Sequence, residues 1–115
     1  MPHFVIECNQ SIIERKKPEE VVQAVFDVAN ASGLFDVQNI KVRLNPYQYY
    51  LTANTQADFI HVFARIMEGR TTEMKSILAK KITACLVEMF PNVASVSVDV
   101  SDLEKATYCN KRMLS

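Results

Sequence analysis

The sequence has no surplus of either charge: thirteen Lys and Arg offset thirteen Asp and Glu over 115 residues. Without a global basic field, a nucleic-acid or anionic-membrane partner is not expected. Its apolar runs fall well short of the roughly 20 residues that a bilayer span needs. The N-terminus lacks a basic stretch followed by an apolar one, so no secretory signal is read there and a cytoplasmic location is expected. Cysteine is scarce too, with Cys8, Cys85 and Cys109 forming no C-x-x-C pair. That argues against a disulfide framework and a zinc knuckle, and no metal site is expected. Cys8 and Cys85 sit in apolar stretches and read as reduced, buried thiols.

What is present is a chain sized for one domain, residues 1–115. His3–Cys8 (HFVIEC) is rich in β-formers and reads as a strand. Pro18 suits the first turn of a helix, with Glu19 and Glu20 at its positive end. Val22, Val25, Phe26 and Ala29 follow at the spacing of a buried helical stripe. Gly33, one of two glycines, is placed to end that helix. In Ile40–Leu44 (IKVRL), Ile40, Val42 and Leu44 alternate with Lys41 and Arg43, predicting a strand with two cations on its open face. Asn45–Ala57, with Asn-Pro and three tyrosines, reads as loop.

A second round follows. Phe59–Met67 (FIHVFARIM) is apolar on both faces and predicts a strand that is central or set against another subunit. Thr71 or Thr72 caps the next helix, in which Met74, Ile77, Leu78, Ile82, Cys85, Leu86 and Met89 form a core stripe that Pro91 ends. Val96, Val98 and Val100 mark a last strand, and residues 101–115 a tail that is either a short helix or an arm. Val37–Leu44 and Val93–Val100 share apolar positions at an offset of 56 residues, each after a strand and a helix. The fold class is therefore α+β: two β-α-β units, about residues 2–56 and 57–100, form a four-stranded mixed sheet with two helices on one face. Right-handed crossovers make the strands within each unit parallel. The other face carries Lys41, Arg43, Phe59, His61 and Phe63, and needs a ligand or a partner subunit. His61 reads as a packed or interface histidine, and Tyr47, Tyr49 and Tyr50 as loop packing.

Two stretches carry a family resemblance. MPHFVIEC at the start resembles 5-carboxymethyl-2-hydroxymuconate isomerases, and IMEGRTTEMKSILAKKIT is similar to the helix-opening stretch of 4-oxalocrotonate tautomerases. NIKVR falls where the family places a strand bearing an arginine. Membership of this tautomerase superfamily implies a homotrimer with sheets facing inward and no cofactor. It implies an N-terminal proline base, here Pro2, acting on a small unsaturated carboxylate. It also implies cationic substrate ligands: Arg70 of the E-G-R turn, Lys41 at the strand position often held by arginine, and Arg43 two residues on. Lysine offers a point charge in place of a planar fork, so the substrate is left open. Pro2 and Arg70 meet either within one chain or across a trimer contact. The base requires Met1 to be removed, because an acylated proline nitrogen has no basic lone pair. A non-catalytic trimeric binding protein, or a dehalogenase- or decarboxylase-like enzyme using Glu7 or Tyr47 beside the proline, is the alternative.

Overall fold

The computed structural model describes Met1–Ser115. Its strands are β1 (His3–Asn9), β2 (Lys41–Tyr47), β3 (Phe59–Met67) and β4 (Ser95–Leu103). Its helices are α1 (Gln10–Arg15), α2 (Pro18–Ala31) and α3 (Thr72–Met89), with short 3-10 turns at Val37–Asn39 and Lys111–Leu114. The sheet order is β2-β1-β3-β4. Pairing is parallel within β1/β2 and β3/β4 and antiparallel between β1 and β3. This is the doubled β-α-β arrangement that the repeat predicts.

Local chemistry explains the element ends. Pro18 opens α2 with Glu19 and Glu20 in its first turn, and Gly33, at φ +73°, follows the C-cap Ser32 in the left-handed region that glycine enters without strain. Thr71, not Thr72, caps α3, its hydroxyl accepting the Met74 amide at 3.1 Å. The core is one cluster in which Phe4, Ile6 and Cys8 of β1 and Ile60, Val62 and Ala64 of β3 meet Val21, Val25 and Ala29 of α2 and Leu78, Ile82 and Leu86 of α3. Burial pushes the Cys8 thiol up to about 11, which makes it unreactive at neutral pH.

Four expectations are corrected. The short helix α1 was not anticipated; it adds Ile12 to the core. β2 continues through Asn45 and Pro46 to Tyr47 where a loop was expected, because β2 is an edge strand and proline's missing N–H leaves no internal ladder bond unmade. The stripe of α3 is narrower: Met74 and Ile77 are 41% and 47% exposed, since the sheet and α2 reach only the Leu78–Ile82–Leu86 line. On α2, Val21 is fully buried while Val22 and Phe26 are partly so.

Asn9, the one buried polar residue, ties the two halves together. Its amide nitrogen donates to Asp58 Oδ1 (2.7 Å) and Ser11 Oγ (2.9 Å), and its oxygen accepts the Phe59 amide (3.0 Å). Ser11 also donates to Asp58 (2.7 Å), and Arg15 pairs with the other carboxylate oxygen. Asp58→Ala is expected to cost about 1–3 kcal/mol in chemical denaturation, because Asn9 loses a partner it cannot replace with water. The Ser11 hydrogen bond, more than any other contact, holds the Asp58 carboxyl below its usual range, against the opposing effect of burial. With the folded value depressed, this contribution is complete above the unfolded value of about 3.9 and is lost as pH falls through the folded one. The gap between wild type and variant should therefore narrow in acid.

Candidate active site

Strand alternation and register build the open sheet face row by row. Phe4, Ile6 and Cys8 point to the core, so His3, Val5 and Glu7 point away from it. The first row across the sheet is Lys41, His3, Arg65 and Ser101. The second is Arg43, Val5, Phe63 and Asp99, and the third Asn45, Glu7, His61 and Ser97. Cations gather at the Pro2 end, whereas the acids are engaged further along. Tyr47 donates to Glu7 at 2.8 Å, and Asp99 lies 2.7 Å from His61 Nε2. His61 also meets Ser97 Oγ at 2.6 Å and packs edge-on to Phe63.

The ladder bond from the Lys41 amide to the Pro2 carbonyl (3.1 Å) sets the chain start beside β2. Residues 104–115 then return across this end of the sheet. Tyr108 brings its hydroxyl to 3.0 Å from His3 Nε2, and Arg43 Nη1 lies 3.2 Å from His3 Nδ1. Between the tail and the start of β2 is a cleft of about 400 Å³, lined by Met1, Gln38, Asn39, Lys41, Lys111 and Arg112 among others, with no acid in its wall. The terminal amine, on Met1 as the chain stands, is pushed down to about 6, first by burial and then by the neighbouring Lys41 ammonium. Burial also lowers the His3 pKa, with added repulsion from the terminal charge, Arg43, Lys41 and Arg65. His3 is therefore neutral near pH 7.

Of the residues singled out from sequence, Pro2, Lys41 and Arg43 come together. Arg70 does not join them within one protomer: it donates to Leu34 O (2.6 Å) and Met67 O (3.3 Å) and stacks on Phe35 at 5.2 Å. His3, Arg65, Tyr108, Lys111 and Arg112 were not singled out. Arg65 had a usable signal, since it shares the parity of Phe59, His61 and Phe63 on β3. A second hollow, between α2 and α3, is lined by Leu34, Met74, Ile77 and Leu78 and offers a single cation, Lys81.

The fold is shared with solved isomerase and 4-OT structures. It superposes on a 5-carboxymethyl-2-hydroxymuconate isomerase from Deinococcus radiodurans R1 with a TM-score of 0.82 at 24% identity, covering 96% of this chain and 88% of that one. A fused 4-OT solved as a symmetric trimer gives 0.79 at 16% identity, over 95% and 91% of the two chains. Pt0534, solved after inactivation by 2-oxo-3-pentynoate, gives 0.81 at 21%, over 95% and 91%. Residues 2–110 match the family model described as 5-carboxymethyl-2-hydroxymuconate isomerase, and the chain belongs to that family. A curated relative, the 5-carboxymethyl-2-hydroxymuconate Delta-isomerase of Escherichia coli, is 29% identical over 77 residues. That match spans 65% of this chain and 61% of the relative.

Proposed function

We propose that this protein is an isomerase that moves a proton within a small unsaturated 2-hydroxy or 2-oxo carboxylate, with the amine of Pro2 as the base. The observation that carries this is the acid-free cleft, where Met1, the residue joined to Pro2, lies beside Lys41, Lys111 and Arg112. One amine must accept a proton and return it, so its pKa has to lie near neutrality. At this end of the chain burial and the Lys41 ammonium lower the Met1 amine, and a Pro2 amine freed by loss of Met1 would stand beside the same Lys41, whose amide bonds the Pro2 carbonyl. In the forward step, the amine takes the proton of the substrate's 2-hydroxyl and negative charge spreads along the conjugated chain. The resulting ammonium then gives that proton to the distal carbon, leaving the 2-oxo isomer.

Lys41 and Arg43 are assigned to the carboxylate and the developing charge, the kind of stabilisation that dominates most catalytic sites. Arg70 stands at the same end of the sheet and uses two of its five N–H donors on backbone carbonyls. The remaining donors are available to substrate in its own or a neighbouring protomer. The rest of the open face, with Phe63 38% exposed, is assigned to contacts in a homotrimer. A reading in which a carboxylate activates water near the proline has less support. Glu7 is bound by Tyr47 and lies four residues past His3, about 13 Å along the strand.

The test is ketonisation of phenylenolpyruvate followed by absorbance, using chain shown by intact mass to lack Met1. No rate above the uncatalysed reaction with this or a 2-hydroxymuconate would overturn the assignment. If Lys111 and Arg112 hold a second carboxylate, replacing both with Ala should raise KM for a dicarboxylate about tenfold or more, at about 1.5–3 kcal/mol per charged hydrogen bond. KM for phenylenolpyruvate, which has one carboxylate, should change much less.

A further inference from the structure

The two hydrogen bonds at His3 fix its tautomer. A guanidinium has donors only, so the bond from Arg43 Nη1 makes Nδ1 an acceptor. The ring is neutral, because burial and the surrounding cations oppose its protonation. Its one proton therefore sits on Nε2 and is donated to the Tyr108 hydroxyl oxygen. The hydroxyl's own proton is left without a protein acceptor, and Tyr108 makes no other side-chain hydrogen bond. Three residues on, the same tail supplies Lys111 and Arg112 to the cleft wall.

We propose that Tyr108, aligned by the chain Arg43 to His3 to Tyr108, donates its free O–H to the substrate oxygen on which charge builds during proton transfer. This rests on the isomerase reading above and adds to it a catalytic donor, Tyr108, and a positioning residue, His3. Tyr108 keeps its proton throughout; the transferred proton passes only between substrate and the Pro2 amine. Each donor in the chain polarises the next, so the terminal O–H is a stronger donor than an isolated phenol. The first row of the sheet supplies Lys41 and Arg65 on either side of His3. A carboxylate bound by Lys41 would therefore lie one strand away from the His3–Tyr108 pair.

The experiment compares Tyr108→Phe, His3→Gln and His3→Asn with wild type. Gln places an amide N–H near the Nε2 position and Asn near Nδ1, so only Gln preserves donation to Tyr108. Tyr108→Phe should lower kcat for phenylenolpyruvate about 10²-fold, the usual loss for one oxyanion donor, with KM changed less than about threefold. His3→Asn should match it, and His3→Gln should recover most of the rate. In parallel, oxalate, a planar mimic of the enolate, should bind Tyr108→Phe about tenfold more weakly than wild type, a difference of about 1.4 kcal/mol. An inactive wild type would overturn the isomerase reading alone, and oxalate affinity would still decide the donor. Unchanged oxalate affinity in Tyr108→Phe, no oxalate binding by wild type, or equal rates for the two His3 variants would overturn the proposal.

Discussion

Acylating the terminal nitrogen, whether by retained Met1 or by chemical blocking, is expected to reduce proton-transfer activity by about 10²–10⁴-fold, the contribution of a positioned base. The lone pair of an amide nitrogen is delocalised into its carbonyl, so Pro2 within a Met1–Pro2 peptide bond accepts no proton at neutral pH. Activity across preparations should scale with the fraction of molecules that intact-mass measurement finds without Met1. Pro2→Ala, which leaves a primary amine after the same trimming, should lose less. Full activity in chains that all carry Met1 would remove proline from the mechanism and turn attention to the other cleft residues.

Replacing Lys41 with Met should move the acidic limb of the kcat/KM profile to higher pH. The base works as the free amine, so activity rises with pH through its pKa. With Met1 in place, burial and the Lys41 ammonium bring the terminal amine down to about 6, against about 8 for an ordinary α-amino group. The Pro2 amine, whose carbonyl is bonded to the Lys41 amide, is expected to be lowered by the same ammonium. Removing the ammonium keeps the burial but removes the repulsion, so the amine holds its proton to higher pH and activity near pH 6 drops most. Loss of a charged hydrogen bond to the substrate should add a pH-independent fall of about 10–100-fold. Lys41→Arg should restore the limb and improve carboxylate binding through its planar fork. An unmoved limb in Lys41→Met would mean that the titrating group is not beside Lys41.

These expectations draw on parts of the chain that differ in how readily sequence reveals them. The β3 segment Phe59–Met67 was legible to the residue, because a run apolar on both faces is long enough to identify and ends at Gly69. The parallel pairing within each β-α-β unit followed from the repeat and the crossover rule, whereas the strand order β2-β1-β3-β4 emerged only in the assembled sheet. The face shared by Lys41 and Arg43 followed from alternation alone. Helix α1 was not legible, as six residues give too short a period. Pro46 hid the end of β2, because whether a strand lies at an edge is a property of the assembled sheet. Tyr108 was out of reach for a stronger reason: its partner His3 is 105 positions away, and no local pattern encodes that contact.

The tail that carries Tyr108 brings residues 110–113 beside Met1 at one rim of the cleft. An affinity tag or fusion partner joined at either terminus would therefore stand in the substrate's path. The turn at Thr52–Thr55 closes on two backbone bonds of 2.8 and 3.0 Å, with Ala53 and Asn54 at positive φ, beyond the opposite end of β2 and β3. It is the neutral place for a purification handle or a fluorescent reporter.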